Sequence, residues 1–135
     1  MINTVISFDY GTKKTGVAVG QTLTRTARSL TTIKTVNAMP EPTLLDKTIQ
    51  EWQPNLAIIG RPPNANDTFL RKLERLSQLL EKRYQLQSLF IDETLTTEQA
   101  NYELHQQGVK RNNKAAQRDQ IAARLILETY FETLT

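Results

Sequence analysis

Two short apolar runs open the chain. Val5-Ile6-Ser7-Phe8 and Gly16-Val17-Ala18-Val19-Gly20 are separated by a Gly/Thr/Lys turn. Apolar, β-branched runs bounded by turn residues are strands, so residues 3–9 and 15–20 predict a hairpin. Residues 27–36 are Thr-rich and partly alternating, which predicts a more exposed third strand. Pro40 and Pro42 break the chain before a helix at about 43–53, with Leu44, Leu45, Ile49 and Trp52 on its inner side. Leu56-Ala57-Ile58-Ile59 is apolar throughout, as in a parallel strand buried on both faces, and Gly60-Arg61-Pro62-Pro63-Asn64 ends it.

The period then returns to that of a helix. Over about 67–84, Leu73, Leu76 and Leu80 form a stripe that Phe69 and Tyr84 extend. On the opposite face Arg71, Lys72, Arg75, Lys82 and Arg83 alternate with Glu74 and Glu81, the pattern of solvated i,i+4 pairs. Ser88-Leu89-Phe90-Ile91 predicts a fifth strand ending at Asp92-Glu93. Thr96 or Thr97 caps a helix running to about 107, Gly108 stops it, and a final helix follows at about 115–132. A three-strand meander, then helix–strand–helix–strand, then terminal helices is the order of the RNase H-like fold. The expectation is an α/β architecture with a central five-stranded mixed sheet, order 3-2-1-4-5, flanked by helices.

Composition narrows the class. A chain of 135 residues with 39% apolar and 23% charged positions suits one domain, 1–135, around a single core. No apolar stretch approaches the roughly 20 residues of a membrane span, and no secretory signal pattern is visible, which predicts a cytoplasmic protein. Cysteine is absent, excluding disulfides, thiolate metal sites and a Cys nucleophile. The net charge of +3 matters only through its distribution.

Three acids stand out by location. Asp9 ends the first strand, Glu93 ends the fifth, and Asp119 lies early in the final helix, beside Ala122, Ala123 and Ile126 on the inward face. Small alanines let that helix approach the sheet closely. In α/β sheets ligands bind at the carboxyl ends of the parallel strands, where Asp9 and Glu93 fall. Carboxylates gathered there repel one another unless a hard cation, Mg²⁺ or Mn²⁺, relieves them, and such ions activate water towards phosphodiesters. Any one of the acids alone is equally a solvated strand end or helix cap. Asp92 should point away from Glu93 on the strand and is kept as a secondary ligand.

The basic residues fit a polyanionic partner. Lys13 and Lys14 lie in the turn beside Asp9, and Arg61 follows the fourth strand. Lys110, Arg111, Lys114, Arg118 and Arg124 crowd the segment that carries Asp119. Of these, Lys13, Lys14, Arg61, Lys110, Arg111, Lys114 and Arg118 are the candidate phosphate contacts, with a solvated helix face as the plain alternative for the last group. His105, the single histidine, sits on a polar helix end as a surface residue, and Trp52 and Tyr84 read as core or rim aromatics. Ser7 has no base nearby in sequence, so no nucleophile triad is visible.

Four blocks carry a family resemblance. They are Phe8-Asp9-Tyr10-Gly11-Thr12-Lys13 with Gly16-Val17-Ala18-Val19-Gly20; Ile58-Ile59-Gly60 with Pro62 and Asn64; Asp92-Glu93 with Leu95, Thr96, Thr97 and Ala100; and Asp119 with Ala122, Ala123, Leu127, Glu128 and Phe131. In these the chain resembles the YqgF family of Holliday junction resolvase-like proteins and pre-16S rRNA nucleases, nearly end to end. The resemblance implies Asp9, Glu93 and Asp119 as the acidic site and a role in maturing the 5′ end of 16S ribosomal RNA. It departs at Thr94, where the family has an arginine, and at Gly60-Arg61-Pro62-Pro63, where Arg61 is the candidate replacement charge.

The leading expectation is a metal-dependent nuclease acting on pre-16S rRNA. Its alternatives are a Holliday junction resolvase acting on branched DNA and a non-catalytic ribosome- or RNA-binding factor. A phosphotransferase of the actin and sugar-kinase type shares the Asp-x-Gly-Thr signature, but such enzymes clamp nucleotide between two domains of this kind.

Overall fold

The N-terminal hairpin forms as the apolar runs require. In the computed structural model, which describes residues 3–93 and 114–134, β1 (Thr4–Asp9) pairs antiparallel with β2 (Lys14–Gln21), setting Asp9 opposite Gly16. β3 (Thr26–Val36) continues the meander antiparallel to β2, with a bulge where the register shifts at Val17/Ala18. After α1 (Pro42–Trp52), β5 (Leu56–Arg61) lies parallel to β1; after α2 (Asp67–Tyr84), β6 (Ser88–Asp92) lies parallel to β5. The last helix, α3, spans Lys114–Glu132, its side chains described from Arg118 onward. The predicted helix at about 96–107, with His105, Gly108 and Thr94, lies outside the described residues.

Among the described residues the sheet has six strands rather than five, because a two-residue strand β4 (Met39–Pro40) precedes β3 in the order β4-β3-β2-β1-β5-β6. Asn37 and Ala38, with φ of 52° and 69°, make a left-handed turn that folds Met39 and Pro40 back against Val36 and Thr35. Pro40 therefore serves as an edge-strand residue, where its missing N–H breaks no ladder. The other five strands keep the expected order.

Alternation along the strands divides the core between two layers. Ile6, Phe8, Ala57 and Ile59 face α1 and α2, meeting Leu45, Ile49, Leu73, Leu76 and Leu80. Val5 and Ile58 face α3, meeting Ile126, Leu127, Tyr130 and Phe131. The all-apolar β5 is thus covered on both sides, as its pattern predicts. Leu44, expected on the inner side of α1, is instead 43% exposed, because Leu45, Thr48 and Ile49 turn inward. Arg83 also departs from the expected i,i+4 pairing. Its guanidinium takes Asp46 of α1 in a two-pronged bond of 2.7 and 2.6 Å, and the Tyr84 hydroxyl donates to the same carboxylate. Those bonds hold Asp46 at about 2 and clamp the end of α2 to α1. Among the described residues no helix is long and apolar enough to cross a membrane.

Candidate active site

The carboxyl ends of the three parallel strands β1, β5 and β6 share one edge of the sheet, bringing Asp9, Arg61 and Asp92-Glu93 there. Strand alternation then sorts them. The Glu93 N–H continues the ladder by donating to the Arg61 carbonyl (2.8 Å), so Glu93 and Asp92 point to opposite faces. Asp92 sits directly across from Arg61, and its carboxylate accepts a 2.7 Å bond from the Arg61 Nε at the surface, Asp92 being the more exposed of the two. That pair belongs to the α2 side, with the Arg61 guanidinium 5.9 Å over the Phe90 ring. Glu93 belongs to the α3 side, beside Asp9. Asp92→Asn is accordingly expected to leave cleavage within about threefold and stability within about 1 kcal/mol, checked by nuclease rate and thermal melt.

Two glycines flanking Asp9 make room for the other acids. Gly16 faces Asp9 across β1/β2, and continuing the Phe8↔Ile59 register by one residue sets Gly60 on its other side. A methyl group on Gly16 would collide with the Asp119 carbonyl oxygen, so the α3 backbone rests directly on that glycine. A methyl on Gly60 would meet the Ile126 side chain and lie 3.0 Å from the Glu93 carboxyl carbon. The close approach predicted from Ala122 and Ala123, both buried, is thus completed from the sheet side.

Hydrogen bonds fasten α3 in that seat. The fully buried Ser7 hydroxyl donates to the Ala123 carbonyl at 2.7 Å, one helical turn beyond Asp119. Ser29 donates to the Gln120 carbonyl at 3.1 Å, and the Gln120 amide donates to the Thr32 hydroxyl at 3.1 Å. Ser7, read from sequence as chemically idle, is a positioning residue for the site. Its position two residues before Asp9, on the same face of β1, was the available signal.

Electrostatics ties the three acids together. Burial, above all, pushes the Asp9 carboxyl well above the usual range; the charges of Glu93 and Asp119 and a hydrogen bond with Glu93 act in the same direction, while Arg118 opposes them. Glu93 is raised by burial, with the hydrogen bond from Asp9 acting against that shift. Asp119 is also raised by burial, with Lys14 and Arg118 pulling it down. Among the described residues no three acidic or histidine side chains already surround one point as a preformed cage. The donor set nonetheless fits a hard divalent cation: the clustered carboxylates repel one another, and a cation among their oxygens would relieve that repulsion. Lys13 is exposed in the β1–β2 turn and Lys14 is half-buried beside Asp119. Lys110 and Arg111 lie outside the described residues, and Lys114 opens α3.

Comparison with known proteins places this geometry. A protein of Actinobacillus succinogenes named as a candidate pre-16S rRNA nuclease is 39% identical over 132 residues, covering 96% of this chain and 94% of its own. A protein of Cronobacter sakazakii with the same name is 38% identical over 135 residues, covering 98% of each chain. Among solved structures, the fowlpox virus resolvase bound to Holliday junction DNA shares the fold, with a TM-score of 0.58 at 14% identity, covering 97% of this chain and 98% of that one. So does T. thermophilus RuvC in complex with a Holliday junction substrate, with a TM-score of 0.54 at 13% identity, covering 97% and 94%. The family profile described as RuvX, Holliday junction resolvase, matches residues 3–133, and the chain belongs to that family.

Proposed function

We infer that the protein is a divalent-metal-dependent endonuclease of one domain, 1–135, acting in the cytoplasm on structured nucleic acid. Its substrate is the 5′-extended precursor of 16S ribosomal RNA. The observation that carries this reading is the convergence of half-buried Asp9, Glu93 and Asp119 at the carboxyl edge of the parallel strands, around Gly16 and Gly60. Carboxyls gathered in a half-buried crevice repel one another, and a bound cation offsets that cost. The names of relatives 36–39% identical over nearly the whole chain support the ribosomal precursor.

Asp9, Glu93 and Asp119 would hold Mg²⁺ or Mn²⁺, which when bound supplies Lewis acidity towards the phosphodiester. The residues themselves do the rest. Ionised Asp9 and Glu93 would be the ligands, so metal affinity would rise with pH as their carboxyls lose protons. Lys14 and Arg118 flank the acids with positive charge, and Lys13 in the adjoining turn adds to it, drawing in backbone phosphates without reading sequence. Arg61 is engaged by Asp92, which leaves the turn and α3 as the basic rim of the site.

The test is cleavage of a 5′-extended 16S precursor and of a four-way DNA junction, each with Mg²⁺, with Mn²⁺ and in EDTA. Metal-dependent cutting of the precursor, with the junction left intact, is the expected result. Cutting of the junction alone makes the protein a resolvase. Precursor binding that persists in EDTA, with no cleavage on return of metal, makes it an RNA-binding factor.

A further inference from the structure

A second charged feature adjoins the acids. In the β2–β3 register Lys14 stands directly opposite Lys34, two like charges on neighbouring strands. Side chains so placed have Cβ atoms about 5 Å apart, and paired like charges there destabilise the sheet unless something answers them. Among the described residues neither lysine makes an ion pair. Lys14 feels the Asp119 carboxylate, and Lys34 feels Glu41, whose own oxygens already accept the Thr43 and Leu44 N–H groups at the start of α1.

Alternation puts both lysines on the α3 face. Lys14 lies two residues before Gly16, which touches Asp119, and Lys34 lies two residues after Thr32, which accepts from Gln120. They therefore form the next row beyond Asp9–Gly16–Thr32, about 7 Å along the strands from the acid site. The row is held rigidly. Thr35 donates through its N–H to the Lys13 carbonyl (2.8 Å) and through its hydroxyl to the Gly11 carbonyl (2.7 Å), and it lies 3.0 Å from the Thr15 hydroxyl. The turn bearing Lys14 is thereby pinned to the strand end bearing Lys34.

We propose that Lys14 and Lys34 form a two-lysine seat for a backbone phosphate of the nucleic-acid strand, adjacent to the phosphodiester at the acids. Lys34 is thus a substrate-positioning residue contributed by β3. The seat rests on the nuclease reading and deepens it. Anion binding resolves the repulsion within the pair, and seating a neighbouring phosphate orients the strand across Asp9.

The experiment measures binding of the 5′-extended 16S precursor in EDTA between about 50 and 200 mM salt, for wild type, Lys14→Met, Lys34→Met and Lys47→Met. Lys47, on α1 against the opposite face of the sheet, controls for loss of one positive charge. Lys14→Met and Lys34→Met should each weaken binding about three- to fivefold and flatten the dependence of log affinity on log salt by about 0.7–0.9. Lys47→Met should do neither. Each lysine variant should also melt at or above the wild-type temperature, which separates lost binding from lost folding. Lys34→Met binding as tightly as Lys47→Met, with an unchanged salt slope, would overturn the seat while leaving the nuclease reading intact. Wild-type protein that binds neither the precursor nor a four-way junction would overturn both.

Discussion

Asp9→Asn is expected to reduce cleavage by roughly 10³-fold or more while raising the melting temperature of the metal-free protein. The two effects share one cause. Asp9 is half-buried beside Glu93 and Asp119, and desolvation with their like charges raises its carboxyl well above the unfolded value of 3.8. A carboxyl whose pKa is raised on folding binds its proton more tightly in the native state. Its contribution to stability is complete below the unfolded pKa and is lost as pH rises through the folded pKa. Near neutrality, metal-free wild type therefore carries a penalty that an isosteric amide, still able to bond Glu93, avoids. Relief of that penalty raises the melting temperature of the metal-free variant. Thermal melts across pH, with and without Mg²⁺, separate the outcomes. Wild type should lose stability from acid towards neutral pH and recover it with metal, and Asp9→Asn should show less of either change. Equal cleavage by the two proteins would reject the site.

Gly16→Ala is expected to damage both fold and site. The added methyl would strike the Asp119 carbonyl oxygen, which is helix backbone and cannot rotate away. Helix α3 must then lift from β2, straining the bonds from Ser7 and Ser29. Overpacking of this kind costs about 1–3 kcal/mol, and cleavage should fall further than stability because the displaced residue is Asp119 itself. Gly60→Ala meets the flexible end of Ile126 and the Glu93 carboxyl, so its larger effect should be on Mn²⁺ affinity. Melting curves and Mn²⁺ titrations of both variants decide the matter. A Gly16→Ala protein with wild-type melting temperature and cleavage would show that the helix does not rest where we place it.

Much of this was legible in the residues because burial imposes periods. The strands around Val5–Phe8 and Leu56–Ile59, the stripe of Leu73, Leu76 and Leu80, and the opposed directions of Asp92 and Glu93 follow from alternation alone. What escaped depends on partners distant in sequence. Nothing local to Ser7 reveals a carbonyl on α3, and nothing near Arg83 reveals Asp46 on another helix. The short strand at Met39–Pro40 was hidden because its turn uses Asn37 and Ala38 rather than glycine. The glycines were visible as residues, but their role as floor for a helix needed the strand register. Leu44 misled because a three- to four-residue period admits two neighbouring leucines where only one can face inward.

The bond from Ser7 to Ala123 joins residues 116 positions apart. A chain folded only through β6 and Glu93 already brings Asp9 and Glu93 together, yet lacks the helix that carries Asp119. The full set of three acids is therefore assembled only when α3, which carries Asp119, docks against the strand that opens the sheet.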